Sequence, residues 1–231
     1  MASVTLYELR GADDRRFSSH SWRVRPALAH KGLDVEVVAV PFTGIPGIGD
    51  GSHPTVPVLV DGETWIHDSW AIAEYLEDTY PDAPPLFGGA QGRALTGFVR
   101  HWWQSRMHPL AMTMILKDIY DHLVPEDREY FATSRFKRFD RPIEEVQAGR
   151  EERIGEFRER LEPLRRLLAD QPFLGGDGPL YADYLPMGTF IWARKMSPFA
   201  LVEPGDPVHA WMNRCLDLHD GMAREGAGFD W

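Results

Sequence analysis

FSSHSWRVRPALAHKGL, residues 17–33, decides how the rest of the chain is read. It opens with Ser18, Ser19, His20 and Ser21, then sets Trp22, Val24, Ala27, Leu28 and Ala29 at helical spacing. Arg23, Arg25, His30 and Lys31 fall on the other face of that predicted helix. Gly32 can take the left-handed conformation that ends a helix, and basic residues fill the last turn, where the macrodipole favours them. At the start of the helix, small hydroxyl side chains and free backbone N–H groups point outward together, which suits an anion.

Just upstream, Val4-Thr5-Leu6-Tyr7-Glu8-Leu9 reads as a strand, and downstream Asp34 to Val40 alternates and is rich in β-branched residues, a second strand. Strand, loop, then serines heading a helix is the opening of a thioredoxin-like α/β domain, with serine where a redox protein carries Cys-x-x-Cys. We read it as a place where a bound thiol is made into a thiolate. A Gly- and Pro-rich loop, residues 41–54, follows and is equally readable as a binding loop or a solvated connector. The run Thr55 to Val60 carries Pro57, which fits best at the start of a strand on a cis bond, because a trans proline inside would remove a ladder hydrogen bond. Asp61-Gly62 predicts the hairpin turn, Glu63 to Ile66 the return strand, and Ser69 the N-cap of a helix with Ile72, Ala73 and Leu76 inward.

The stretch PDAPPLFGGAQG, residues 81–92, is the one concentrated linker composition. It sets the expected organisation: an α/β domain over 1–82, a linker over 83–92 and an all-helical domain over 93–231. In the second part Leu95, Phe98, Val99, Trp102, Trp103, Met107, Leu110, Met114 and Ile115 recur at helical spacing, predicting one long helix that continues toward Leu123. Residues 125–142 are polar and aromatic and carry no clear period. Residues 143–169 predict one charged amphipathic helix bent at Pro163, Tyr181 opens a buried helix, and a last helix spans 207–222 before a Gly-rich tail expected to fray.

A formal net charge of −10 with scattered basic residues excludes nucleic acid as an expected partner, since phosphate binding needs a clustered basic face. No apolar run approaches the ~18 residues of a membrane span, and the first residues lack the pattern of a signal peptide. The single cysteine, Cys215, forbids an internal disulfide framework and fits a cytoplasmic protein. His101, His108 and His122 lack metal-ligand spacing, so no metal is expected.

The serine-headed helix, Val56-Pro57, Asp68-Ser69 before a helix and an all-helical second half together resemble the glutathione transferase family over nearly the whole chain. The heading Ser-Ser-His-Ser-Trp-Arg-Val-Arg is similar to the zeta class, with His20 where that class has cysteine. Phe42-Thr43-Gly44-Ile45, Asp68-Ser69-Trp70 and Val146 to Glu151 resemble the bacterial β-etherase branch and its fungal relatives. Two departures stand out: Ser19 where that branch has proline, and Leu180 where the family has a serine or threonine cap three residues before Asp183.

The resemblance implies the thioredoxin-like plus all-α glutathione transferase fold, glutathione as co-substrate, a homodimer, and a small hydrophobic or aromatic second substrate. Ser18 is the matching catalytic serine, with Ser19 and His20 as further candidates. The main chain of Val56, before Pro57, suits pairing with a tripeptide backbone. Asp68 and Ser69 suit an α-amino acid terminus, the carboxylate on the ammonium and the hydroxyl with helix N–H groups on the carboxyl. Trp102, Trp103 and Tyr120 are the candidates for an apolar second-substrate wall. The implied activity is attack of a serine-stabilised glutathione thiolate on an electrophilic, aromatic substrate, β-aryl ether cleavage included. The alternatives are a zeta-like cis-trans isomerase and a non-catalytic ligand carrier.

Overall fold

The computed structural model describes residues 4–231; residues 1–3, part of the segment read above as lacking a signal peptide, lie outside them. Four strands, β1 (Val4–Leu9), β2 (Val35–Val40), β3 (Val58–Asp61) and β4 (Thr64–His67), form one sheet in the order β2-β1-β3-β4. β1 runs parallel to β2 from Val4 opposite Val35 to Leu9 opposite Val40, whereas β3 is antiparallel to both β1 and β4. A parallel pair needs a crossover, and α1 (Ser21–His30) supplies it, burying Trp22, Val24, Ala27 and Leu28. Gly32 has φ +68°, the left-handed conformation expected of it after the helix. The Val56–Pro57 bond is cis, and the β1–β3 ladder begins just beyond it, with Tyr7 opposite Val58.

Three readings of this part are corrected. Arg23 and Lys31, placed on the polar face of α1, are both buried. Lys31 pairs there with Glu77 at 2.8 Å. The N-cap of α2 (Ser69–Thr79) is Asp68, not Ser69: its Oδ1 accepts from the N–H groups of Trp70 and Ala71 at 3.0 and 3.1 Å.

The helical part holds α3 (Ala90–Trp102), α4 (His108–Asp121), α5 (Pro125–Phe139), α6 (Ile143–Gln147), α7 (Arg150–Arg160), α8 (Glu162–Asp170), α9 (Tyr181–Met196) and α10 (Pro207–Gly221). The expected long helix toward Leu123 runs without a non-helical break from α3 into α4, but passes through a π-helical segment from Trp103 to Met107 just before Pro109, whose missing N–H removes a helical hydrogen bond there. Residues 143–169 divide into α6, α7 and α8, with breaks at Ala148-Gly149 and at Leu161 before Pro163.

Every residue of α9 is buried, so this helix is the axis of the helical part. Its N-terminus lacks a side-chain cap because Leu180 has no acceptor. Asp183 compensates from inside, accepting from the N–H groups of Leu174, Gly175 and Leu180 and from Trp211 Nε1 at 2.7–3.0 Å. α9 also packs against α1. At Gly188 a Cβ would stand 2.2 Å from the Ser19 carbonyl oxygen, so only glycine admits this approach. The tail expected to fray is docked: Phe229 N–H donates to Arg194 O at 2.7 Å, and Trp231 Nε1 to Ser197 O at 3.0 Å.

Candidate functional site

Between the sheet-bearing part and the helices lies a cavity of about 520 Å³. Ser18, Ser19, His20, Val56, Pro57, Asp68 and Ser69, scattered over 52 positions of sequence from 18 to 69, all line it. The sheet accounts for the gathering: β1 delivers the serine loop, the cis proline opens β3, and β4 delivers Asp68 at the head of α2.

Ser18 and Ser19 are almost fully buried, opening only toward the cavity. Ser18 Oγ accepts from the Ser21 N–H at 3.1 Å, and its carbonyl accepts from Trp22 N–H at 3.0 Å. The hydroxyl thus caps the start of α1 with a lone pair and keeps its proton to donate. His20 Nδ1 lies 3.2 Å from Arg23 Nη1 and 3.4 Å from Ser69 Oγ. Arginine only donates, so Nδ1 accepts and the imidazole proton sits on Nε2. Burial, reinforced by the Arg23 cation, pushes the His20 pKa down to about 3, so the ring is neutral. Arg23 itself is fully buried with no carboxylate partner among the described residues, and burial lowers its pKa to about 10. Its Nε and Nη2 have no hydrogen-bond partner. A desolvated cation therefore lies beneath the loop that carries the serines.

Asp68 adopts φ +77° and spends Oδ1 on the α2 cap, while Oδ2 takes no bond among the described residues. Arg100 Nη2 stands 4.0 Å from Oδ1, its guanidinium held 4.9 Å over the Trp70 ring. Ser69 is fixed from the other side by Tyr181, whose hydroxyl donates to the Ser69 carbonyl at 2.6 Å.

The three aromatics expected to wall a second-substrate site are elsewhere. Trp103 is buried in the helical core with Nε1 donating to Thr189 Oγ1 at 2.8 Å, and Trp102 packs edge-on against it. Tyr120 lies in a separate surface depression with Phe136 and Ile143, and Phe98 of the same expected stripe is exposed. The opposite wall is built by α4 with His108, Met112 and Leu116, by Trp192 of α9, and by α5 with Tyr130, Phe131, Arg135 and Arg138. His108 stacks on Trp192 at 4.9 Å, and burial holds its pKa well below the ordinary value. Asp127, near the start of α5, accepts from Phe42 N–H at 2.7 Å and Thr43 N–H at 2.8 Å, tying the Gly- and Pro-rich loop to the helices. The α5 residues were missed because the segment has no clear apolar period; an acid just after a proline at a helix start was the available signal.

Residues 14–85 match the family model for the glutathione S-transferase N-terminal domain, and residues 94–217 the model for the C-terminal domain. The chain is 34% identical over 143 residues to Glutathione S-transferase 1 of Dianthus caryophyllus (57% of this chain, 62% of that protein). It is 37% identical over 121 residues to a zeta-class glutathione S-transferase of Euphorbia esula (48% and 52%). It is also 37% identical over 115 residues to maleylacetoacetate isomerase of Rattus norvegicus (44% and 50%). The chain thus spans about half the length of the curated relatives it matches. Among solved structures, glutathione transferase GSTFuA3 from Phanerochaete chrysosporium superposes with a TM-score of 0.76 at 26% identity, covering 95% of this chain and 92% of that one. With both domain models matched in order over a thioredoxin-like sheet and a helical second part, the chain belongs to the glutathione S-transferase family.

Proposed function

We propose that the protein binds glutathione in the cavity, holds its sulfur as a thiolate and directs it at an electrophilic carbon of an aromatic second substrate. The observation that carries this reading is the Ser18 hydroxyl, which accepts from Ser21 N–H and so has its proton left for a ligand in the cavity. A free thiol has a pKa near ~8.5, and bringing it below neutrality needs roughly 3 kcal/mol of preferential stabilisation of the thiolate. The Ser18 O–H bond, the N-terminus of α1 and the buried charge of Arg23 act on the same side.

In this reading Asp68 Oδ2 takes the ammonium of the γ-glutamyl end and Ser69 its carboxylate. The main chain of Val56 pairs with the cysteinyl backbone. Attack forms a C–S bond and expels the leaving group with its electron pair, while the thiol proton passes to solvent. The resemblance to the etherase-like branch favours an aryl ether, in which the C–O bond breaks and a phenol leaves. Incubation with glutathione and a fluorogenic β-aryl ether tests this: released phenol matched by a glutathione thioether is expected. Tight glutathione binding with no turnover of any electrophile would instead mark a ligand carrier.

The likeness to the zeta-class and isomerase relatives favours one second reading, cis-trans isomerisation with glutathione returned. Stoichiometry separates the two: glutathione recovered intact while a maleyl-type double bond isomerises overturns the displacement reading. We further propose a cytoplasmic homodimer. Leu95 and Phe98, three residues apart on α3 and both strongly exposed, offer an apolar face for a second copy. Sedimentation at a monomer mass would remove that proposal.

A further inference from the structure

The two ends of the cavity differ in charge in a way the functional reading does not use. α5 carries Phe131, Arg135 and Arg138 along one face, and all three line the cavity. Several arginines of the helical part that lie outside the cavity are ion-paired, Arg150 with Asp118, Arg158 with Glu203 and Arg165 with Asp206. Arg135 and Arg138 have no carboxylate at ion-pair distance among the described residues, in a chain with ten more acidic than basic residues (35 − 25).

Arg135 is held rather than free. Its guanidinium lies 4.5 Å from the Phe131 ring centroid, one Nη donates to Ser134 Oγ at 3.2 Å, and its Nε is buried with no partner. Arg138 lies over Phe139 at 5.4 Å. Burial and the neighbouring Arg138 charge lower the Arg135 pKa, so an anion placed between the two would relieve a repulsion as well as satisfy donors. The helix-side lining that accompanies these arginines is mostly apolar, with Met112, Leu116 and Phe131, and its His108 stands 5.9 Å from the His20 ring. An occupant reaching from the sulfur to the arginines is therefore an aromatic or aliphatic body with an anionic tip.

We propose that Arg135 and Arg138 form a carboxylate-receiving subsite, and that the second substrate is an aryl electrophile bearing a carboxylate. The proposal rests on the displacement reading given above. The glycine carboxylate of glutathione is the other source of the same chemistry. It is the less suited one, because the candidate anchors for glutathione stand on the sheet side of the cavity and the arginines on the helical side.

Two stable conjugates decide the matter without requiring turnover: S-(4-carboxy-2-nitrophenyl)glutathione and its methyl ester, titrated calorimetrically into the full chain beside glutathione itself. The expected result is that the acid binds at least tenfold more tightly than the ester, the size of one charge-assisted contact. Arg135→Gln and Arg138→Gln should each bring that preference close to unity, Arg135→Lys should restore part of it, and glutathione affinity should stay within twofold throughout, which also reports a folded site. Equal binding of acid and ester by the unaltered protein overturns the proposal. So does a loss of glutathione affinity in the variants as large as the loss for the acid, which assigns the arginines to the glycine end. Failure of the unaltered protein to bind glutathione at all is a distinct outcome: it removes the functional reading, and the subsite with it.

Discussion

The two walls of the cavity are built on different principles. The sheet-side wall consists of small side chains and main chain, Ser18, Ser19, Val56 and Ser69, each fixed by a loop or cap of its own. The helix-side wall consists of large side chains, Met112, Phe131, Arg135 and Trp192, whose positions depend on how three helices, α4, α5 and α9, pack. The first can hold atoms to within a hydrogen bond and suits the common chemistry of a thiol. The second can change residue by residue without disturbing the sulfur, which is where selectivity for a second substrate belongs.

The walls meet at Gly188, and a change there should have the largest effect. A Cβ at this position would lie 2.2 Å from the Ser19 carbonyl and 3.0 Å from Arg23 Cγ, so either the serine loop or α9 must move. Gly188→Ala is expected to lower stability by about 1–3 kcal/mol and turnover by more than tenfold. Urea unfolding and steady-state kinetics on one preparation provide the check. Wild-type values in both would mean the walls are not coupled at this point.

Ser18→Ala tests the sheet-side wall alone. The bound thiol should titrate up to about two pH units higher, and turnover at neutral pH should fall about tenfold or more, with glutathione affinity changed only a few fold. Thiolate absorbance followed against pH reads the shift. An unmoved titration here with a large shift in Ser19→Ala transfers the role by one residue.

The difference between the walls also explains what the sequence made legible. A cap, a cis proline and a hairpin turn are local, so Ser18, Pro57 and the Asp68-Ser69 pair could be picked from short motifs, and the strands from alternating runs. The helical half announces its helices by period but not their partners. Trp102, Trp103 and Tyr120 have the composition of a binding wall, yet the π-helical segment and the turn of α4 aim them elsewhere. Arg23 illustrates the converse: as a charged residue in an amphipathic pattern it belongs outside, and only the close approach of α9 at Gly188 puts it inside. The breaks around α7 were not readable because a period continues across a one- or two-residue interruption.

Asp68 carries two duties that a conservative change separates. Asn keeps the acceptor that caps α2 and removes the charge offered to an ammonium. Asp68→Asn is therefore expected to weaken glutathione binding about tenfold while leaving stability and the bound sulfur's titration nearly unchanged. Calorimetry at wild-type affinity would end the assignment of Asp68 to the ammonium.

Each wall also holds a neutral histidine, His20 on one side and His108 on the other, both with pKa values lowered chiefly by burial. The unfolded chain protonates them below about 6.5, whereas folded His20 resists down to about 3. In that interval the unfolded state binds more protons, so their contribution is fully present above about pH 6.5 and is lost as pH falls. The urea midpoint should drop between about pH 7.5 and 5, and drop less in a His20→Asn, His108→Gln double variant. An equal drop in both proteins would assign the acid sensitivity to carboxylates instead.

The smallest effect is expected where composition alone pointed to the site. Tyr120 is aromatic, half-buried and close in sequence to Leu116 and Ile119, which line the cavity. On α4, however, it turns away from them, joining Phe136 and Ile143 in a separate depression, with the Lys117 ammonium 5.5 Å and the Arg128 guanidinium 5.8 Å from its ring centroid. Tyr120→Leu thus removes two exposed cation–π contacts, together about 1 kcal/mol or a little more, and leaves the cavity untouched. The KM for any electrophile the protein accepts should stay within about twofold, as should kcat, since a side chain that does not touch the bound substrate gives the transition state no differential contact. Met112→Ala, about two turns earlier on the same helix and lining the cavity, is the matched control and should raise that KM several fold. If Tyr120→Leu moved it as far as Met112→Ala does, the helix-side wall would extend beyond the cavity, and the division between the two walls would need redrawing at α4.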